Sequence, residues 1–188
     1  MSRTSVHVRA ADIADAAALR ELWHEILRRG TPEEQVADVR GVIADCAARQ
    51  DQCIAVAEFD GEVAGAVLLK ATTLSPLNLE PTVLAVSPHV LPAYRRRGVG
   101  TALIDAAARF AEGQGVGTVA TAATANSRDA NRFMARLSLT PQATLRAATT
   151  SAVRAKLSAR RSVTRRSGSR QIDKVLAARR IGREHAHN

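Results

Sequence analysis

The sequence predicts an α/β protein built on one mixed sheet with helices on both faces. Two apolar, β-branched runs flank Asp60-Gly61, a dipeptide suited to a tight antiparallel hairpin. Farther along, strand-like and helix-like segments alternate, which is the pattern of parallel strand–helix–strand units. A length of 188 residues with 46% hydrophobic content suits one ordinary domain plus a short appendage. Only five aromatics occur (Trp23, Phe59, Tyr94, Phe110, Phe133), so aliphatic side chains must fill the core.

Val6-His7-Val8 alternates as a strand. Leu19, Leu22, Trp23, Ile26 and Leu27 then recur at helical spacing over residues 12–30, where Gly30 can close the helix. Thr31-Pro32-Glu33-Glu34 has capping-box spacing with Pro in the first turn, and Val36, Val39, Ile43 and Ala47 carry a second helix to about residue 49. Residues 53–59 and 62–69 form the hairpin. Residues 82–90 read as a further strand, in which Pro88, unable to donate a ladder hydrogen bond, predicts a bulge or an interruption. Residues 98–112 read as a helix burying Leu103, Ile104, Ala107, Phe110 and Ala111, closed by Gly113 or Gly115. A strand over 116–122, a helix over 128–137 capped by Ser127, and a last strand over 145–150 complete the order.

Charge is segregated along the chain. Residues 1–153 hold sixteen basic and sixteen acidic side chains, whereas residues 154–188 hold eleven basic and two acidic ones. The net +9 therefore belongs to the tail, and the body is not expected to be a nucleic-acid-binding surface. We divide the chain into a domain over 1–153 and a basic, flexible tail over 154–188 with a weak helix at 172–180. That tail can contact nucleic acid nonspecifically by counterion release, but it has no aromatic residue to stack on bases. Cys46 and Cys53 lack the spacing and the histidine partners of a zinc site, so reduced thiols and no metal are expected. No apolar run reaches the ~20 residues of a membrane span, and residues 1–9 lack an apolar signal core, which points to a cytoplasmic protein.

The chemistry-bearing segment is Pro92-Ala93-Tyr94-Arg95-Arg96-Arg97-Gly98-Val99-Gly100-Thr101. It lies where a strand ends and a helix begins, so the unpaired amides of the first helical turn converge with partial positive charge. Gly98 and Gly100 let a diphosphate approach the backbone, Val99 and Thr101 add amides, and Arg95, Arg96 and Arg97 line the entry. The bare pattern would arise by chance about 0.4 times in a chain of this composition. Its specificity comes from the strand before it, the Pro-x-Tyr corner and the amphipathic helix after it.

With Arg95-x-x-Gly98-x-Gly100 and Asn126-x-x-x-Ala130-x-x-Phe133-x-x-x-Leu137, residues 6–150 resemble the GNAT superfamily of acyl-CoA-dependent N-acetyltransferases. The resemblance implies a mostly antiparallel sheet with a V-shaped splay between the strand ending near Val90 and the strand over 116–122. Acetyl-CoA would lie in that gap, with backbone groups at Val90 and Leu91 and the side chain of Asn126 on its pantetheine arm. The activity implied is transfer of acetyl to a primary amine by direct attack. The alternative is a non-catalytic acyl-CoA-binding module docked by its basic tail on nucleic acid or a partner. Two positions depart from the family pattern. Met134 follows Phe133 where many members carry a proton-donating tyrosine, and Ser138-Leu139 replaces the usual Gly-Phe. A general acid is worth ~10² to 10⁴ in rate, though a thiolate leaves readily without one.

Direct transfer also needs a group to take the amine's proton, and Glu80 and His89 are the candidates. Glu80 lies six residues before Val86, near where some family members carry a strand-borne base, and His89 lies just before the expected splay. Trp23 and His24 are expected at the core edge of the first helix, and Tyr94 at the loop corner. The acceptor's identity and the oligomeric state are not encoded in any motif of the sequence.

Overall fold

Strand β1 (Val6–Ala10) pairs antiparallel with β2 (Gln52–Phe59), β2 with β3 (Glu62–Thr73), and β3 with β4 (Pro81–Val90). Strand β5 (Val119–Ala122) joins the far edge of β4 in parallel, so the five strands stand in chain order. The computed structural model describes residues 5–122, 128–142 and 146–159. The chain divides into two compact units, Met1–Thr140 and Pro141–Asn188.

In the first unit the sheet carries helix α3 (Val99–Gly113) on one face and α1 (Ala16–Trp23) with α2 (Pro32–Ala47) on the other. Alternate strand residues feed the two cores: Ala55, Val67, Val83 and Ala85 pack with Leu103, while Ile54, Val56 and Ala66 pack with Leu19 and Val39. The hairpin turns at Asp60 (φ 54°) and Gly61 (φ 83°), the two positive angles that an Asp-Gly turn accommodates. The capping box of α2 also forms, with Glu34 N donating to Thr31 Oγ1 and Thr31 N donating to Glu34 Oε2.

Several boundaries differ from the sequence expectation, each for a local reason. The first helix opens with a 3-10 turn (Ile13–Asp15) and ends at Trp23, not Gly30. There the Trp23 carbonyl takes the amides of both Ile26 (2.9 Å) and Leu27 (3.2 Å), and the Arg28 carbonyl accepts from Gln35 Nε2 (2.8 Å), turning the chain toward α2. The buried face of α2 is Gln35, Val39, Ile43 and Cys46, leaving Ala47 exposed. Strand β5 begins at Val119 because the Val116 amide closes the end of α3 on the Ala111 carbonyl (2.9 Å), beside Gly115 at φ 67°.

Helix α4 (Arg128–Arg136) buries Met134 but leaves Leu137 at the surface. Ser138 follows it at φ 61°, a left-handed conformation that a glycine adopts more readily. Ser127, its expected cap, lies outside the described residues. In the second unit the expected strand over 145–150 does not form in its described part: residues 146–149 are irregular and a helix runs over 150–159. Thr149 Oγ1 caps that helix by accepting from Ala152 N (3.2 Å), and its alanines favour helix. Residues 160–188, including the expected helix over 172–180, lie outside the described residues.

Both cysteines are free. Burial pushes the thiol of Cys46 up, and that of half-buried Cys53 to about 11. Among the described residues no group of side chains is arranged to hold a metal, and no helix is long and apolar enough to cross a membrane.

Candidate active site

The site begins at an irregularity in β4. Leu68 opposes Val86 and Ala66 opposes His89, so Ser87 and Pro88 bulge opposite the single residue Val67. Ser87 takes φ 48°, uncommon for a residue with a side chain. The described pairing of β4 with β5 ends at Val86 and Ala122, which leaves the following residues of β4 without a described strand on that edge. The indole of buried Trp23 donates to the Ser87 carbonyl at 3.0 Å, tethering the bulge to the end of α1. Trp23→Phe removes this bond and is expected to cost about 1–2 kcal/mol in a urea titration. Adding Ser87→Gly, which accepts the positive φ without a tether, should recover part of that loss.

Beyond the bulge the strand turns its open hydrogen-bonding groups outward. Leu91 N donates to the Ala64 carbonyl at 2.9 Å, making Leu91 and Ala64 a hydrogen-bonded pair. By the antiparallel alternation, the N–H and C=O of Val90 then point away from β3 to the open edge. The Leu91 carbonyl also accepts from Tyr94 N (2.9 Å), so its backbone is engaged at both ends and Val90 is the residue with groups to offer. A long bond of 3.4 Å from Arg95 Nε reaches the Val90 carbonyl.

After a 3-10 turn (Pro92–Tyr94), the backbone passes through Arg96 at φ 61° and Gly98 at φ 86° into α3. Ala102 N is the first amide of the helix to close a bond, on the Gly98 carbonyl at 3.0 Å. The amides of Val99, Gly100 and Thr101 precede it and have no protein acceptor among the described residues. A Cβ at Gly98 would meet nothing within 4 Å, whereas one at Gly100 would reach the Phe133 ring at 3.4 Å and Val90 at 3.8 Å. The amides therefore converge on a small space open at Gly98 and bounded by Phe133.

The three arginines take different roles. Arg95 and Arg96 are exposed at the loop, but the Arg97 guanidinium lies 5.1 Å over the Phe59 ring. Tyr94 packs on the same ring at 5.6 Å, and its hydroxyl donates to Glu62 Oε2 at 2.6 Å. That bond raises the Tyr94 pKa, so its proton is held on a carboxylate rather than aimed at the loop.

The structure brings His89 to the site and not Glu80. His89 is half-buried beside the bulge and shares the α1/α2 face of the sheet with Ala66, its cross-strand partner. Burial, then Arg95 and His24 against an opposing effect of Glu25, hold its pKa below the ordinary 6.5. Glu80 sits exposed just before β4 begins, roughly 30 Å along the strand from Val90 at the usual rise per residue. Its carbonyl there accepts from Leu74 N (3.0 Å) in the β3–β4 connection. Asn126 lies outside the described residues.

Gly65 is a residue of the site that sequence reasoning passed over. A Cβ there would stand 2.6 Å from the His89 carbonyl oxygen, 3.1 Å from Val99 Cγ1 and 3.3 Å from Leu103 Cδ1. Its lack of a side chain lets the end of β4 and the first turn of α3 close on β3. A glycine inside a strand pattern is the signal that would have found it.

The architecture has known counterparts. The chain resembles a solved structure of the aminoglycoside N-acetyltransferase AAC(6')-Iy in complex with CoA, with TM-score 0.64 and 16% identity over 79% of this chain and 97% of that one. It also resembles glucosamine-6-phosphate N-acetyltransferase from Arabidopsis thaliana, with TM-score 0.60 and 15% identity over 78% and 99% of the two chains. A third likeness is to the ribosomal-protein-alanine N-acetyltransferase from Brucella melitensis biovar Abortus 2308, with TM-score 0.58 and 16% identity over 77% and 99%. At these identities the likeness shows the fold. No curated protein sequence matches. The family model described as the acetyltransferase (GNAT) family matches residues 16–138, the span that holds the bulge, the open edge of Val90 and the glycine loop, and the chain belongs to that family.

Proposed function

We propose that this chain transfers acetyl from acetyl-CoA to a primary amine by direct attack. The observation that carries the reading is the set of unpartnered amides at Val99, Gly100 and Thr101, opening beside Gly98 at the head of α3. These amides, with Arg95 and Arg96 at the entry, would hold the diphosphate. The open N–H of Val90, and its C=O in exchange for the long bond from Arg95, would hold the pantetheine arm as an added strand edge, and Asn126 would contribute a side-chain contact by analogy with the family. Acetyl-CoA supplies an activated thioester: an N–C bond forms, the C–S bond breaks, and the thiolate leaves. His89, kept neutral by burial, would take the amine's proton. Met134 offers no proton to the leaving sulfur, and Tyr94 has its own on Glu62, so the thiolate would leave unprotonated.

The test is amine-dependent thiol release from acetyl-CoA, followed against pH. Because the pKa of His89 is lowered, the base form persists to lower pH than in a free imidazole, and the acid limb of kcat/KM should fall below pH 6.5. His89→Gln should remove that limb and lower kcat by about 10²-fold. Saturable acetyl-CoA binding with no thiol release from any amine would refute the transferase reading and leave the binding module, the reading that Met134 favours.

A further inference from the structure

Resting on that reading, we infer that the acceptor amine carries an apolar arm of about six carbons, bound in a groove between α1, α2 and the β4 bulge. The groove has a volume of 160 Å³ and runs from Trp23 and Leu27 to Val39 and Val42, floored by Leu68 and Val86. Its one ionisable lining residue, Asp38, is already paired with Arg28, Nε to Oδ2 at 2.6 Å, so it presents no free charge to a polar ligand. The groove is open to solvent on one side, and its aliphatic and aromatic lining offers apolar surface that an entering hydrocarbon arm would cover.

The groove ends on the bulge that leads, two residues on, to His89. Val86 and Leu68 face each other across β3 and β4 on the α1/α2 side of the sheet, and the Ser87 bulge, tethered by Trp23, forms the wall. His89, two residues on, is on that same face, within electrostatic reach of Glu25 and His24 at the end of α1. The arrangement is amphiphilic. It sets a proton acceptor and an acid beside an apolar slot, matching a primary amine whose nitrogen meets His89 while a hydrocarbon substituent fills the groove. Sugars and polyamines would bring polar groups into a slot with nothing to pair them, a penalty that discriminates against them.

The test uses the full chain with n-alkylamines from propylamine to hexylamine, and with glucosamine and 1,4-diaminobutane as polar counterparts. Thiol release should show kcat/KM rising about fourfold per added methylene up to the filled groove, with both polar amines below butylamine. Val42→Phe, at a position 40% exposed, plugs the slot without disturbing the core. It should flatten the series, costing hexylamine the most, with acetyl-CoA affinity unchanged. Trp23 is the single tryptophan of the chain, so its emission reads occupancy of the groove without turnover. Hexylamine should shift that emission saturably in the parent chain and not in Val42→Phe. A flat series, a preference for glucosamine or diaminobutane, or a gradient surviving Val42→Phe would overturn the apolar-arm assignment while the transferase stands. If no amine is acetylated, the transferase reading fails, and the Trp23 emission decides the groove by itself: no saturable shift with hexylamine overturns it.

Discussion

Replacing Gly98 and Gly100 together by aspartate is expected to raise the Kd for acetyl-CoA by at least ~100-fold. The amides of Val99, Gly100 and Thr101 are free to donate to a diphosphate, and the macrodipole of α3 adds its positive end to them. A carboxylate placed among them competes for the same donors and repels the ligand. At ~5 Å and an effective dielectric near 20, one such pair of like charges opposes binding by about 3 kcal/mol, already more than a hundredfold. The fold should survive. Aspartate enters the left-handed region of Gly98 (φ 86°) more readily than most residues, nothing lies within 4 Å of the new Cβ, and at Gly100 the new contact with Phe133 is an ordinary 3.4 Å. Calorimetric titration with acetyl-CoA measures the loss, and a thermal melt checks folding. An unchanged Kd would remove the diphosphate from this loop.

Gly65→Ala tests the packing that puts the loop where it is. The added Cβ would meet the His89 carbonyl at 2.6 Å, a backbone atom that cannot rotate away, with buried Val99 and Leu103 closing the other sides. Relief requires the end of β4 to move off β3 and to carry Val90 with it. We expect about 3 kcal/mol of destabilisation, seen as a Tm lower by about 6–12 °C in a chain of this size. Acetyl-CoA affinity should weaken in the same variant if, as proposed above, the displaced strand end carries the groups that hold pantetheine. Gly41→Ala, on an exposed face of α2 with nothing within 4 Å of the new Cβ, is the control and should hold or raise the Tm.

Features encoded by a few adjacent residues were legible in the sequence. Thr31 and Glu34 announce a capping box that forms, Asp60-Gly61 a turn with two positive φ angles, Pro88 a bulge or interruption that is a bulge, and Gly98 the start of a helix. Where two distant segments decide the outcome, the local pattern misleads. Apolar spacing carries the first helix on to Ile26 and Leu27, but Trp23 is bound to Ser87, sixty-four residues away, and the helix stops there. Glu80 and His89 were equal candidates at the two ends of one strand, and the pairing of β4 shows that the bulge and the open edge lie at the His89 end. Gly65 was invisible as a site residue because its importance lies in what approaches it, the His89 carbonyl and the head of α3. Thr149 sits in a β-branched stretch, yet its hydroxyl serves a helix start.

The two sulfhydryls bear on the kinetic order of the reaction. Burial raises the Cys53 thiol to about 11 and pushes the Cys46 thiol up as well, so neither sulfur is favoured as a thiolate at neutral pH. That disfavours a relay through an acylated cysteine. The direct attack proposed above requires both reactants to be seated together before anything is exchanged, and for it double-reciprocal plots should intersect rather than run parallel.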